Sequence, residues 1–198
     1  MREYLFNINN LSDDLYYKWY SLLNPIKKSK IDNLYLINDK KRSVCGDMLA
    51  KTALSELTGI KAEEIIIDTD SNGKPFPVNV SLHFNISHCE DYVVCVTHDS
   101  PIGVDIEKIR PINLKIAEKF FNKDEQKYIF CHEPTKEDFL KEPSPDLLER
   151  FFRVWTKKEA FLKYTGEGIC ADLKSIEIDS RNLKTKIEDG YVITIYHN

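Results

Sequence analysis

The sequence has no hydrophobic run that approaches the roughly 20 apolar residues needed to cross a bilayer. Its start, MREYLFNINN, also lacks the long apolar core of a secretory signal. The cysteines are few, scattered and odd in number, and they form no C-x-x-C pair, which argues against a disulfide framework and a complete zinc motif. We therefore expect a cytoplasmic protein with reduced thiols and no membrane partner.

The chain also lacks an excess of basic charge. It contains 28 Lys and Arg against 32 Asp and Glu, a net charge of -4, so no overall positive field attracts nucleic acid. The 198 residues are 42% hydrophobic and 30% charged, which is typical of a globular protein and excludes disordered and fibrous classes. This length is enough for one domain or for two subdomains of about 100 residues each.

The first part of the chain has the pattern of three helices. Ser12, followed by two aspartates, predicts an N-cap, and Pro25 suits the first position of a second, basic helix. A longer helix is predicted from about Asn38 to Leu57, with Gly59 placed to end it. We therefore expect three helices before any strand.

The hydrophobic period then changes to that of strands. Strands are predicted in EIIID, LHFNIS, YVVCVT and IGVDIE, with a turn at SNGKP and a hairpin turn at HDSP between the last two. Short helices beginning at Asn113 and Asn122 and a proline-broken loop precede a long helix from about Leu147 to Tyr164. Strands follow in KSIEID, LKTKIED and YVITIY. Helices followed by strands thus occur twice, which indicates two similar α+β halves that meet near residue 100.

Two carboxylates lie two residues apart in the apolar run GVDIEK. On a strand, Asp105 and Glu107 would share one face, while Val104 and Ile106 would point the other way. At a separation of about 5 Å and an effective dielectric of about 20, the repulsion between two such charges is on the order of 3 kcal/mol. Either solvent or a cation must offset this repulsion, and the segment alone leaves both alternatives open.

A third carboxylate interrupts the apolar stripe of the long helix. Apolar residues at positions 151, 152, 155 and 162 define a core-facing stripe, and Glu159 takes a place expected for leucine. Lys163 follows one turn later, as in an ordinary Glu-Lys helix pair on a solvated face. Together with Asp105 and Glu107, however, Glu159 would supply the oxygen ligands that suit Mg²⁺ or Mn²⁺, next to a lysine suited to a phosphate substrate.

Three motifs in a fixed order carry a family resemblance. FNISH, then IGVDIEK, then WTKKEAFLKYTGEG closely resemble the signature of the Sfp-type 4′-phosphopantetheinyl transferases. The resemblance implies an α+β fold of two similar halves related by a pseudo-two-fold axis, each with a helix packed on a mainly antiparallel sheet, in a monomer. Residues 1–101 would form the half that binds the coenzyme A nucleotide, and residues 102–198 the half with the metal and the catalytic groups.

The resemblance also implies the reaction. The 4′-phosphopantetheine arm of coenzyme A would pass to a serine of an apo acyl or peptidyl carrier protein, and 3′,5′-ADP would leave. Mg²⁺ or Mn²⁺ on Asp105, Glu107 and Glu159 would bridge the pyrophosphate, and Lys163 would neutralise the phosphates and assist the leaving group.

Several residues match family positions that contact coenzyme A, although each taken alone also suits a solvated helix face, a turn or a strand end. These residues are Lys27, Lys30, Arg42, Lys74, Ser87, His88 and Lys163.

Glu125 matches the family's base for the serine proton. It equally fits the N3 position of a capping box that begins at Asn122, and a metal-bound water is a further candidate for the base.

Two departures from the family pattern concern the partner more than the chemistry. The segment from Cys131 to Arg150 is longer than in close relatives. We expect the carrier protein to dock on the segment from Phe120 through the loop at 133–145. The chain also ends soon after Tyr196, without the extra strands of many members. Two alternatives stay open: another metal-dependent nucleotide phosphohydrolase, and a non-catalytic relative that binds carrier proteins.

Overall fold

A computed structural model of the chain describes residues 1–166, 173–176, 178 and 180–198. The helices and strands in these ranges are, in chain order, β1 (Arg2–Asn7), α1 (Asp13–Ser21), α2 (Pro25–Asp32), α3 (Ile37–Thr58), β2 (Ile67–Thr69), β3 (Pro75–Pro77), β4 (His83–Cys89), β5 (Tyr92–His98), β6 (Ile102–Lys108), α4 (Lys115–Phe120), α5 (Lys123–Phe130), α6 (Pro145–Thr165), β7 (Leu183–Glu188) and β8 (Tyr191–His197). None of the helices in the described ranges is long and apolar enough to cross a membrane.

Two three-stranded antiparallel sheets form the centre of the fold. Their strand orders are β1-β5-β4 and β6-β8-β7, and β2 and β3 form a separate small ribbon. Apolar side chains from β5, β6 and β8, among them Val94, Val104 and Ile193, pack together between the sheets. On the outside, α3 packs on β4 and β5, and α6 packs on β6 and β8. The predicted α+β fold, with a long helix on each antiparallel sheet, is confirmed.

The two halves follow one plan, as the predicted pseudo-two-fold requires. In each sheet the first strand pairs with the central strand, which forms a hairpin with the third strand. Each long helix carries a buried lysine, Lys51 or Lys158, whose Nζ donates to a backbone carbonyl further along the chain at 2.6 Å. Each helix also ends at a left-handed glycine, Gly59 or Gly166, at the same spacing after its lysine.

Equivalent side chains meet where the two central strands approach each other. The rings of Tyr92 and Tyr191, the first residues of β5 and β8, are 4.9 Å apart edge to face. The rings of His98 and His197, the last residues of the same strands, are stacked at 5.1 Å. A pseudo-two-fold axis between β5 and β8 explains these contacts, because it places each of these residues opposite the equivalent residue of the other half.

The connectivity differs from the sequence prediction in two places. The chain does not begin with three helices, because β1 precedes them and depends on β5 for its hydrogen bonds. β5 and β6 do not form a hairpin, because residues 99–101 cross from one sheet to the other and β6 pairs with β8. The strand predicted in KSIEID lies partly outside the described residues, and Leu173–Ser175 form a single 3₁₀ turn.

A close approach of α6 to β6 sets the position of the helix. α6 begins with Ser144, whose hydroxyl accepts from the backbone N–H of Leu147, and with Pro145 at the first helical position. At Gly103 on β6, an added Cβ would lie 2.0 Å from the carbonyl oxygen of Ala160. The missing side chain therefore lets the helix backbone rest directly on the strand, next to Asp105.

Candidate active site

Three carboxylates line a cavity of about 430 Å³ between β4, β6 and α6. Asp105, which is 5% exposed, and the half-buried Glu107 project from β6 toward this cavity. The alternate residues Val104 and Ile106 are buried between the sheets, as the period of the strand predicts. Glu159 enters from α6, so the structure brings together the three carboxylates that the sequence singled out.

Lys163 and Ser87 tie the elements around this cavity together. Lys163 Nζ donates to Asp105 Oδ1 and to Ser87 Oγ, at 2.7 Å each. The hydroxyl of Ser87 donates to the same Asp105 oxygen at 2.9 Å. A side chain from α6, one from β4 and one from β6 thus meet at a single point.

The positive groups near the three carboxylates only partly offset the cost of burying them and the repulsion between them. Burial, and then the charge of Asp105, raise the pKa of Glu107. The same two causes in the same order raise the pKa of Glu159, and Lys163 only partly opposes them. Asp105 Oδ2 and Glu159 Oε1 are buried without a hydrogen-bond partner in the described part of the chain. Such orphaned oxygens are costly unless a cation or a donor reaches them.

The three carboxylates are ligands of the type that suits a hard divalent cation, although their oxygens do not converge on one point in the structure. Within the described ranges, no three His, Cys, Asp or Glu side chains converge closely enough to hold a metal ion. Glu107 is held on one side only, because its Oε2 contacts both Cys89 Sγ at 3.5 Å and Arg110 Nη1 at 3.3 Å. The oxygen-only donors and the two orphaned oxygens are nevertheless what Mg²⁺ and Mn²⁺ prefer.

The residues matched to coenzyme A lie in or near adjoining cavities. His88 lines the carboxylate cavity, and partial burial of its ring, followed by the charges of Arg42 and Lys163, lowers its pKa. Arg42 itself pairs with Asp39. Lys74 borders the neighbouring cavity and donates to the backbone carbonyl of Lys163, and burial, opposed by Asp70, lowers its pKa.

Two of these lysines lie apart from the carboxylates. Lys27 and Lys30 line a separate small cavity next to β2 and β3. Lys27 pairs there with Asp47 at 3.2 Å, and Asp47 is buried.

Glu125 is not brought into the carboxylate cavity. It lines a different one, and both halves of the capping box with Asn122 are present at the start of α5. Its Oε1 also pairs at 2.8 Å with Lys158, which is 1% exposed. Both carboxylate oxygens therefore have structural partners, and the role of Glu125 as a base stays a prediction.

The sequence interpretation missed three side chains at the site. Asn85 Oδ1 accepts the backbone N–H of Val104 at 2.9 Å, and Cys89 and Arg110 contact Glu107. A signal for two of them was present, since Asn85, Ser87 and Cys89 alternate along β4 and so share one face.

Comparisons with known proteins find similarity to 4′-phosphopantetheinyl transferases along most of the chain. Residues 101–193 match the family described as the 4′-phosphopantetheinyl transferase superfamily, and residues 11–100 match that described as 4′-phosphopantetheinyl transferase, N-terminal. The chain is 38% identical to 4′-phosphopantetheinyl transferase psf-1 of Bacillus pumilus over 75% of this chain and 60% of that protein. It is 32% identical to 4′-phosphopantetheinyl transferase Sfp of Bacillus subtilis (strain 168) over 85% of this chain and 71% of that protein.

A third relative, 4′-phosphopantetheinyl transferase gsp of Aneurinibacillus migulanus, is 35% identical over 76% of this chain and 59% of its own length. The chain thus spans less than two thirds of the length of psf-1 and of gsp. The two matched ranges together cover nearly all of the chain, and residues 101–193 contain every carboxylate of the cavity. The chain belongs to the 4′-phosphopantetheinyl transferase superfamily.

Proposed function

We propose that this chain transfers the 4′-phosphopantetheine arm of coenzyme A to a serine of an apo acyl or peptidyl carrier protein and releases 3′,5′-ADP. The observation that carries the proposal is the cavity in which Asp105, Glu159 and Lys163 lie together. Three carboxylates and a lysine on two rigid elements, β6 and α6, suit phosphoryl transfer, where positioning and charge neutralisation supply most of the acceleration. The relatives psf-1 and Sfp are named for the same activity.

The cation site proposed for this cavity consists of Asp105, Glu107 and Glu159, with Mg²⁺ or Mn²⁺ as the ion. When bound, the ion neutralises phosphate charge and the charge that develops on the leaving group. The support for it is the raised pKa of Glu107 and of Glu159 together with the two orphaned buried oxygens.

Lys163 is the cation that the chain itself contributes. Its Nζ is held between Asp105 and Ser87, so it loses little freedom when a phosphate enters the cavity. Ser87, His88 and Lys74 would bind the phosphates and the nucleotide from the β4 side. The 3′-phosphate end would be bound by the basic residues Lys27, Lys30 and Arg42.

The proton of the attacking serine has two candidate acceptors. Glu125 is the residue matched to the family, yet its oxygens are engaged with Asn122 and Lys158. A water molecule in the carboxylate cavity is the other candidate, since the carboxylates there can orient it by hydrogen bonding.

We further propose that residues 1–101 and 102–198 act as the nucleotide-binding and the catalytic half, and that the protein works as a cytoplasmic monomer. One chain completes the cavity by itself, because β4 comes from the first range and β6 and α6 come from the second. A second subunit is therefore not needed to assemble the site.

The test is the intact mass of apo carrier proteins after incubation with coenzyme A and Mg²⁺. We expect the carrier to gain one phosphopantetheine arm, and we expect Asp105→Asn to abolish the gain. A nucleotide phosphohydrolase would consume coenzyme A without a gain in carrier mass. A non-catalytic relative would bind the carrier and leave coenzyme A intact.

A further inference from the structure

A ladder of side chains joins the two sheets beside the carboxylate cavity. β4 hydrogen-bonds to β5 and β6 to β8, so the facing strands β4 and β6 belong to different sheets. Three alternate residues of β4 accept, through their side chains, the backbone N–H groups of three alternate residues of β6. The rungs are Val104 N to Asn85 Oδ1 at 2.9 Å, Ile106 N to Ser87 Oγ at 3.4 Å and Lys108 N to Cys89 Sγ at 3.4 Å.

Two of the rungs also hold carboxylates of the cavity. The hydroxyl of Ser87 donates to Asp105 Oδ1 at 2.9 Å, and the thiol of Cys89 donates to Glu107 Oε2 at 3.5 Å. Cys89 thus accepts from the backbone of β6 and donates to a side chain of the same strand. Arg110 Nη1 reaches the same Glu107 oxygen at 3.3 Å. Both contacts fall on Oε2, so Oε1 is left to act as a ligand.

We propose that Cys89 is a positioning residue for the cation site, which it serves by holding Glu107 Oε2 through its thiol. This inference rests on the divalent-cation site proposed above, and Cys89 itself is not a ligand in it. Hydrogen-bond partners of ligating carboxylates fix their orientation, and the loss of such a partner typically lowers metal affinity about 10–100-fold.

The test is calorimetric titration of the whole chain with Mn²⁺, in the absence of coenzyme A and carrier protein. We expect Cys89→Ala to raise the Kd for Mn²⁺ about 10-fold, because the thiol donor to Glu107 is lost. Cys89→Ser keeps a donor and an acceptor, so it should restore the Kd to within about 3-fold of wild type. In the transfer assay, Cys89→Ala should raise the Mg²⁺ concentration needed for half-maximal rate.

Cys95→Ala is the matched control, because Cys95 is a fully buried cysteine on the adjacent strand β5. It should lower the melting temperature and leave the Kd for Mn²⁺ unchanged. If Cys89→Ala does not fold, Cys89→Val, which fills the space but cannot donate, takes its place in the comparison with Cys89→Ser.

The outcomes separate this inference from the proposed function. An unchanged Kd in the variants without a donor, or a serine variant as weak as those variants, overturns the role of Cys89 alone. If wild type and Asp105→Asn bind Mn²⁺ equally, the cation site is wrong and the role of Cys89 is overturned with it.

Discussion

Glu159 occupies a position on α6 where the helical spacing of apolar residues calls for leucine, and its burial and the charge of Asp105 raise its pKa. A carboxyl group whose pKa is higher in the folded state than in the unfolded state binds its proton more tightly when the protein is folded. Its contribution to stability is therefore fully present below the unfolded pKa of about 4.3 and is lost as pH rises through the folded pKa. Above its folded pKa, the ionised Glu159 is thus a cost to the fold.

Glu159→Gln should remove this cost. We expect the melting temperature to be about 2–4 °C above that of wild type at pH 8 and close to that of wild type at pH 4. We also expect transfer activity to be lost. Thermal unfolding at several pH values checks the first two results. Glu149→Gln, which removes an exposed carboxylate from the same helix, is the control and should show no such pH-dependent gain. A Glu159→Gln protein less stable than wild type at pH 8 would contradict the charge assignment.

Glu125 can be assigned as base or as structural residue by one variant. Glu125→Gln leaves the buried Lys158 without its counter-charge, so we expect a loss of about 2–4 kcal/mol in the free energy of unfolding. The kcat should stay within about 3-fold of wild type, because the capping box and the ion pair, rather than the proton transfer, use this side chain. Denaturant unfolding and steady-state kinetics measure the two effects.

Asn122→Ala is the companion variant, since it removes the cap and leaves the ion pair. It should cost about 1 kcal/mol. A fall in kcat of more than about 100-fold in Glu125→Gln, with stability unchanged, would instead identify Glu125 as the base.

At the scale of elements, the contact between β6 and α6 depends on a single missing side chain. A Cβ on Gly103 would meet the carbonyl oxygen of Ala160 at 2.0 Å and the backbone nitrogen of Tyr164 at 2.6 Å. We expect Gly103→Ala to destabilise the fold by about 3 kcal/mol and to reduce transfer strongly, because the helix that carries Glu159 and Lys163 must move. In Gly46→Ala, the comparison variant, the new Cβ meets side chains and not backbone, Ile86 Cγ2 at 3.2 Å and Val93 Cγ1 at 3.8 Å, so the effect should be smaller than at Gly103.

The end of α4 separates a core phenylalanine from one that can meet the carrier protein. Phe121 is fully buried, whereas Phe120 is partly exposed and packs on Trp155 beneath the amine of Lys119. Phe120→Ala should therefore raise the KM for the carrier several-fold and leave the KM for coenzyme A unchanged. Phe121→Ala should instead cost about 3–5 kcal/mol of stability. If Phe120→Ala moves both KM values together, or neither, the carrier docks elsewhere.

At the scale of the whole molecule, the pseudo-two-fold relates two halves with the same strand register, but the three carboxylates of the cavity all belong to the second half. The strand register places Tyr4 and Phe6 on β1 where Asp105 and Glu107 stand on β6. The hydroxyl of Tyr4 bonds to Glu56 of α3, in the manner of Asp105 with Lys163 of α6. Aromatic side chains thus stand in the first half where the second half has the carboxylates Asp105 and Glu107.

We therefore expect one divalent cation per chain, coupled to coenzyme A. Because the pyrophosphate would complete the coordination of the ion, saturating Mg²⁺ should lower the Kd for coenzyme A at least about 5-fold, and coenzyme A should tighten Mg²⁺ by the same factor. Calorimetry gives both the stoichiometry and the coupling. Two ions per chain, or equal coenzyme A affinity with and without Mg²⁺, would contradict this expectation.

The sequence by itself determined the features that depend on neighbouring residues. The caps at Ser12, Pro25 and Gly59 were predicted because capping uses groups within one turn of a helix. The shared face of Asp105 and Glu107 was predicted because the strand period is two. The same local spacing marked Glu159 as an interruption of an apolar helix face and placed Lys163 one turn after it.

Only the tertiary structure decided which distant groups meet. β1 was missed, and β6 was assigned to the wrong partner, because strand pairing is a contact between segments far apart in the chain. The contact of Cys89 with Glu107 and that of Glu125 with Lys158 likewise join different elements, and no local period encodes them. Burial, which raises the pKa of Glu159, is in the same way a property of the packed molecule and not of the helix that carries the residue.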